Sequence, residues 1–322
     1  MEQHAAAEPG SRTGTAMVFP GMGPVRFTDV GTFMLANPYA RRLVAQADEV
    51  LGHSLVDGFR DAEGDYSVDA QVAFLTNCVA MAQWAEGELG IVPDACAGPS
   101  FGEKALAAHV GALDFPDAVR MTEQLARCMD DYFATEHQHI VTCSFVRTPE
   151  ERLQEILAEM DDRGEWYEIS CHVDHDFSML SLHEAGLERF ERALRAGGGL
   201  PLYTMRPPMH CAAFGPLRDR AEQEVLSGLR FRDPVVPVVA DQDGSVIRTG
   251  EGVRAMLLDS FVRPMHWPDT VAGLRDLGVG RVCVAGPDSL FGRVAVTTAN
   301  FEVVAAHPRL AMQPVRRAAG RD

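Results

Sequence analysis

Short apolar strands alternating with helical segments predict an α/β fold with a mainly parallel sheet, interrupted by a smaller inserted unit. Two observations carry this. Strand patterns at 15–19, 95–97, 235–240 and 281–284 are separated by segments of helical spacing, and the run 138–206 has an alternation of its own. With 322 residues, 46% of them hydrophobic, the chain is long enough to bury one large core and a second inside an insertion.

Residues 1–14 are rich in Ala, Glu and Gly, without a basic lead-in or apolar run, and read as a disordered tail, not a signal peptide. The strand at 15–19 then runs into Gly21-Met22-Gly23-Pro24, a tight turn that presents backbone N–H groups. Helical spacing over 39–55 and 70–89 follows, and Pro93 ends it before the short strand 95–97. Helices are expected over 101–110 and 115–133.

In the middle of the chain, strand 139–146, helix 149–162 with proline at its first turn, strands 166–173 and 180–182, helix 187–196 and strand 202–205 follow one another. That β-α-β-β-α-β order is a split-βαβ, ferredoxin-like unit. The large subdomain is accordingly 15–137 with 207–307 and the small subdomain 138–206. Strands at 235–240 and 281–284, with 271–276 helical between them, complete the large part, and 308–322 reads as a second loose tail.

Charge and cysteine usage exclude several functions. A net charge of -17 with one lysine, Lys104, leaves no basic block for nucleic acid. Acidic residues or arginines interrupt every apolar run, so a membrane span is not expected. Seven scattered cysteines without a CxxC pair read as reduced thiols of a cytoplasmic protein. The basic side chains are almost all arginine, whose planar fork suits carboxylates on an acidic partner.

Gly98-Pro99-Ser100-Phe101-Gly102 fits Gly-x-Ser-x-Gly and lies between a short strand and a helix, the setting of a nucleophile elbow, which makes the large part α/β-hydrolase-like. Glycines flank the serine because β-carbons there would collide with strand and helix. The helix behind Ser100 adds N–H groups and partial positive charge where an oxyanion forms. The plain alternative is a glycine-rich turn without chemistry. Of eleven histidines, His210 is best placed as base, after Pro207-Pro208-Met209, where the chain re-enters the large part beside a cleft. His109 lies on a helix, His266 in a turn before Trp267, and His172 and His175 in the inserted hairpin. The Cys171–Asp176 stretch is metal-capable in composition, but strand alternation divides its side chains between faces, so no metal site is expected.

Together these segments resemble the malonyl-transferase-like acyltransferases that load acyl carrier proteins. Phe19-Pro20-Gly21-Met22-Gly23 resembles that family's N-terminal turn, Gly98 to Glu103 its elbow, and His210 stands where its catalytic histidine does. Pro237 to Asp241 resembles a segment whose backbone carbonyl orients the histidine, and Gly286-Pro287 a closing Gly-Pro. The resemblance implies Ser100 as nucleophile, His210 as base, the N–H groups of Met22 and Phe101 as oxyanion hole, and Asp241 as the acceptor that fixes the imidazole tautomer. Leu125, Met209, Gln71 and Pro99 are implied in the substrate pocket. No bound cofactor is implied; the substrate arrives on the 4'-phosphopantetheine of a carrier.

Departures from the family narrow the substrate. Malonyl-type members pair the substrate carboxylate with an Arg on the long helix after the elbow helix, a position held here by Leu125. Arg127 is two residues on, roughly 200° around the helix, and cannot substitute. A malonyl group would lie there as an unpaired charge, at a cost of several kcal/mol on the order usual for burial. Pro99 replaces the elbow histidine, Met22 the turn glutamine, and Met209 lines the pocket flexibly. This combination, with 97–102 and 202–210, resembles the stand-alone, trans-acting acyltransferases of macrolactam antibiotic pathways, of the vicenistatin type. It implies a monomer moving a dipeptidyl starter from a stand-alone carrier to the loading carrier of a polyketide synthase, without nucleic acid or membrane. Arg152, Met205, Arg206, Arg263 and Arg293 are the candidates for docking the acidic carrier. The other readings are a malonyl or other acyl-CoA transacylase, an acyl hydrolase that clears stalled carriers, and a catalytically silent carrier-binding scaffold.

Overall fold

The computed structural model describes residues 12–313, so residues 1–11 and 314–322 of the two expected tails lie outside the described residues. The tail assignments need correction at their inner ends. Gly14 already belongs to strand β1 (Gly14–Val18), and a one-turn helix, Pro308–Ala311, stands where the C-terminal tail was to begin.

After β1 come α1 (Phe27–Ala36), α2 (Pro38–Leu51), α3 (Leu55–Asp61), α4 (Val68–Leu89), β2 (Ala95–Ala97), α5 (Gly102–His109) and α6 (Phe115–Phe133). The single helix expected over 39–55 is thus two. Gly52, in the left-handed region at φ 74°, ends α2, and the Ser54 hydroxyl accepts the Asp57 N–H to start α3. The smaller unit is β3 (Ile140–Val146), α7 (Glu150–Asp162), β4 (Tyr167–Asp174), β5 (Phe177–His183), α8 (Glu184–Ala196) and β6 (Leu200–Met205). Its strands lie in the order β6-β3-β5-β4, all antiparallel, which is the split-βαβ arrangement.

The rest is α9 (Gly215–Glu224), β7 (Val238–Val239), β8 (Val246–Ile247), α10 (Gly250–Val262), β9 (Met265–His266), α11 (Trp267–Asp276), β10 (Val279–Ala285), α12 (Ala295–Thr298), β11 (Glu302–Ala306) and α13 (Pro308–Ala311). The expected strand 235–240 shrinks to two residues. Pro234 and Pro237 have no N–H to donate to a ladder, and Val235 is turned to solvent. β9 pairs in parallel with β4, so residues 265–266 extend the small sheet to five strands.

The large sheet runs β11-β10-β1-β2-β7-β8, parallel except for β8. β1 is central and buried on both faces: Met17 joins a core with Phe33, Phe74 and Leu106, and Ala16 and Val18 join another with Trp267, Val271 and Val282. α4 is apolar nearly all round because helices enclose it. A third core, including Phe145, Leu153 and Phe190, lies beneath the small sheet. These layers hold the C-terminal ends of β1 and β2 still, and the site lies there.

Candidate active site

At the end of β2 the chain turns through Gly98-Pro99-Ser100 into α5. Ser100 sits at φ 54°, a left-handed conformation that a non-glycine residue adopts only when its surroundings impose it. The flanking glycines are sterically required. A β-carbon on Gly102 would lie 2.1 Å from the Phe19 carbonyl oxygen, and one on Gly98 would lie 2.5 Å from the Gly102 backbone. The N-terminal turn packs on the same elbow, since a β-carbon on Gly21 would lie 3.2 Å from the Pro99 carbonyl oxygen.

Ser100 Oγ is 2.8 Å from His210 Nε2, hydrogen-bond distance for a hydroxyl and an imidazole able to take its proton. His210 also has positive φ, 62°, and is buried, which pushes its imidazole down to about 4 and keeps it a neutral proton acceptor. The N–H groups of Met22 and Phe101 donate to no acceptor among the described residues, and both residues line the cavity containing Ser100. Two free donors beside a serine–histidine pair are suited to an oxyanion.

The residue expected to orient His210 does something else. Asp241 makes no hydrogen bond to the imidazole; its Oδ2 accepts the Ser100 backbone N–H at 2.5 Å. His210 Nδ1 faces the backbone carbonyls of Ser260 and Arg263, which favour its protonated form, though neither reaches hydrogen-bond geometry. The nearby carbonyls thus come from the C-terminal end of α10 and not from 237–241, a shift that sequence similarity in a short Val-rich strand could not resolve.

Asp241 adjoins a second buried acid. Glu103 Oε1 accepts Gln242 Nε2 at 2.8 Å, whereas Glu103 Oε2 and Asp241 Oδ1 receive no other donor. Burial raises both carboxyls, Glu103 more strongly because the Asp241 charge adds to it. A single proton between the two carboxyls is sufficient to satisfy both orphan oxygens.

Two cavities meet at the dyad. The first, about 680 Å³, runs under α5 and α6 and is mostly apolar. The second, about 940 Å³, opens between the small sheet and the N-terminal turn. Met22, Tyr66, Ser100, Met205 and His210 border both.

A family model described as the VinK acyltransferase small domain matches residues 144–205. The malonyl CoA-acyl carrier protein transacylase of Escherichia coli (strain K12) is 26% identical over 278 residues, 84% of this chain and 88% of that protein. Its Bacillus subtilis (strain 168) counterpart is 24% identical over 298 residues, 90% and 92% of the two chains. This chain is an acyltransferase, similar to the malonyl transacylases. Solved structures share the acyltransferase's fold. A malonyl CoA-acyl carrier protein transacylase from Coxiella burnetii superposes with TM-score 0.79 at 24% identity, covering 92% of this chain and 95% of that one. A malonyl-transacylase in holo complex with a type II polyketide synthase acyl-carrier protein gives 0.80 at 24%, covering 93% and 97%.

Within this acyltransferase, Leu125, Met209 and Gln71 line the first cavity. Pro99 does not, which corrects the expectation: it is buried as a wall between the elbow and the N-terminal turn, and its carbonyl accepts the Gly102 N–H. Of the docking candidates, Met205 borders both cavities. Arg206 pairs with Glu184, Arg152 with Glu155, and Arg263 with Asp243 and Asp259. Arg293, exposed and just beyond Leu290 and Phe291 of the second cavity, pairs with no described residue. No described helix is long and apolar enough to cross a membrane, and no described cluster of His, Cys, Asp or Glu could hold a metal.

Lys104 is among the pocket residues left unassigned in the sequence. Lys104 lines the first cavity, with Nζ 4.4 Å from the Phe101 ring centroid and 3.4 Å from Gln71 Oε1. Its position four residues after Ser100, on the helix that follows the elbow, was the available signal.

Proposed function

We propose that this acyltransferase moves a dipeptidyl starter, without a free carboxylate, from a stand-alone acyl carrier protein to the loading carrier of a polyketide synthase in macrolactam biosynthesis. The observation that carries this is Leu125, an alkyl side chain in the first cavity where malonyl-type members hold a carboxylate-binding arginine. The match of 144–205 to the VinK small domain supports it, because that segment supplies one wall of the second cavity, including Ser144, Phe177 and Met179. Seven buried, unpaired cysteines fit a reducing cytoplasm.

The pantetheine arm enters through the second cavity and the acyl chain extends into the first. Ser100 Oγ attacks the thioester carbonyl carbon while His210 Nε2 takes its proton, and the N–H groups of Met22 and Phe101 hold the tetrahedral oxyanion. Collapse breaks the carbon–sulfur bond. His210 returns the proton to the departing thiolate, leaving acyl-Ser100. The acceptor's thiol then gives its proton to His210, its sulfur attacks the ester carbonyl, and Ser100 leaves protonated. Arg293 and Met205, at the mouth, meet the acidic carrier.

Mixing the protein with dipeptidyl-loaded carrier and free holo-carrier tests this by intact mass. Transfer abolished in Ser100→Ala is expected; no transfer, or transfer undiminished in that variant, overturns it. The 26% identical relative favours a second reading, malonyl transfer from CoA. Malonyl-CoA as donor in the same assay decides between them, and rapid release of free acid without acceptor would instead mark a hydrolase.

A further inference from the structure

We infer that Lys104 is a specificity-determining residue that binds an acceptor oxygen, carboxylate or amide carbonyl, on the acyl chain carried by Ser100. The inference rests on the first cavity being the acyl pocket.

Lys104 is the one lysine of the chain, and it stands in a cavity otherwise walled mainly by Phe101, Leu125, Met129 and Leu257. It forms no ion pair with any described carboxylate. Its one acceptor among the described residues is Gln71 Oε1, at a long 3.4 Å, so at most one of three ammonium hydrogens is engaged there. The Gln71 amide is itself committed, donating to the Tyr66 carbonyl at 2.9 Å. The Phe101 ring face stabilises the cation without supplying an acceptor. Glu103, next in sequence, is turned into the buried pair with Asp241 and bonded to Gln242.

An ammonium beside apolar walls with unused donors is costly until a ligand supplies oxygen. Burial already pulls the Lys104 amine down to about 8. Leu125 removes the guanidinium from α6, and Lys104 introduces a cation on α5, so polar recognition is moved along the cavity and not abolished. An alkyl chain leaves the ammonium unmatched. A chain with a carbonyl or carboxylate several bonds from the thioester meets it.

Three pantetheine thioesters of similar length separate the cases: hexanoyl, N-acetyl-β-alanyl and glutaryl. The readout is kcat/KM for Ser100 acylation, by intact mass, and the expected result is a preference for one or both acceptor-bearing chains over hexanoyl. That ratio falls at least tenfold in Lys104→Met and is partly kept in Lys104→Arg. Which chain is preferred tells amide from carboxylate. A ratio unmoved in Lys104→Met overturns the inference while leaving Ser100 acylation intact; no labelling by any thioester overturns the acyltransferase assignment as well. In the unmutated protein, lysine labelled with ¹³C at Cε gives a single side-chain signal. That signal shifts when Ser100 carries the preferred chain and not hexanoyl, and an equal response to both overturns the inference without any variant.

Discussion

The Asp241 carboxylate accepts the Ser100 backbone N–H at 2.5 Å, so the left-handed turn at Ser100 is pinned by a side chain 141 residues away. The same carboxylate adjoins the buried Glu103 carboxyl, and burial raises both. Asp241→Ala leaves the Ser100 N–H without its acceptor, a loss of about 1–3 kcal/mol, and lets the elbow relax. Asp241→Asn keeps an oxygen at the position. Denaturant unfolding together with the rate of Ser100 acylation should rank wild type and Asn above Ala in both measures. Equal behaviour of Asn and Ala would show that Asp241 does not hold the turn.

His210 makes the pH dependence unusual. Burial lowers its imidazole to about 4, so it remains neutral, and able to accept the Ser100 proton, through the mildly acidic range. The acylation rate should hold from neutrality to about pH 5 and fall below about 4, with no break near the ordinary histidine value of about 6.5. The stability effect has a definite sign: between about 6.5 and 4 the unfolded chain binds a proton that the native state refuses, so stability declines as pH falls through that window. A rate profile from rapid-quench mass spectrometry with an inflection near 6.5 would contradict this placement of His210.

Much of the elbow was legible because its glycines are sterically demanded. Gly98, Gly102 and the Gly21 turn mark where backbones touch, and His210 announced itself by following a proline pair at a domain re-entry. The split-βαβ unit was legible from order alone, since its strands are separated by amphipathic helices. α9 was not legible: GPLRDRAEQE buries only Leu217 and Ala221, too few to make a stripe. α10 did carry signals, Thr249 as N-cap and Val253, Met256, Leu257 and Phe261 as its buried residues. β11 has only Ala306 fully buried. The Asp241 and Lys104 contacts depend on tertiary juxtaposition, which no local pattern encodes.

The close approach at Gly102 is directly testable. Gly102→Ala pushes a methyl to 2.1 Å from the Phe19 carbonyl oxygen, where backbone cannot yield as a side chain would. A destabilisation of about 1–3 kcal/mol or more is expected, with acylation lost because β1 and the elbow separate. Gly215→Ala, with no heavy atom within 4 Å of the new methyl and no positive φ, is the control and should unfold within about 0.5 kcal/mol of wild type. Thermal unfolding of the two variants side by side checks it. A Gly102→Ala protein as stable as the control would mean that strand and elbow do not press together.

Arg263 separates a backbone role from a side-chain role at one position. Its carbonyl faces His210 Nδ1, and its guanidinium pairs with Asp243 at 2.8 Å and Asp259 at 3.3 Å on a largely solvated surface. Arg263→Ala keeps the carbonyl and removes the pairs, which, exposed as they are, contribute about 0–1 kcal/mol. Ser100 acylation from a small pantetheine thioester should therefore be within about twofold of wild type, consistent with the modest stability change. If instead the acyl-carrier KM rises while the pantetheine thioester is used as before, the guanidinium meets the carrier despite its two carboxylate partners, and the docking surface extends from Arg293 around to the end of α10.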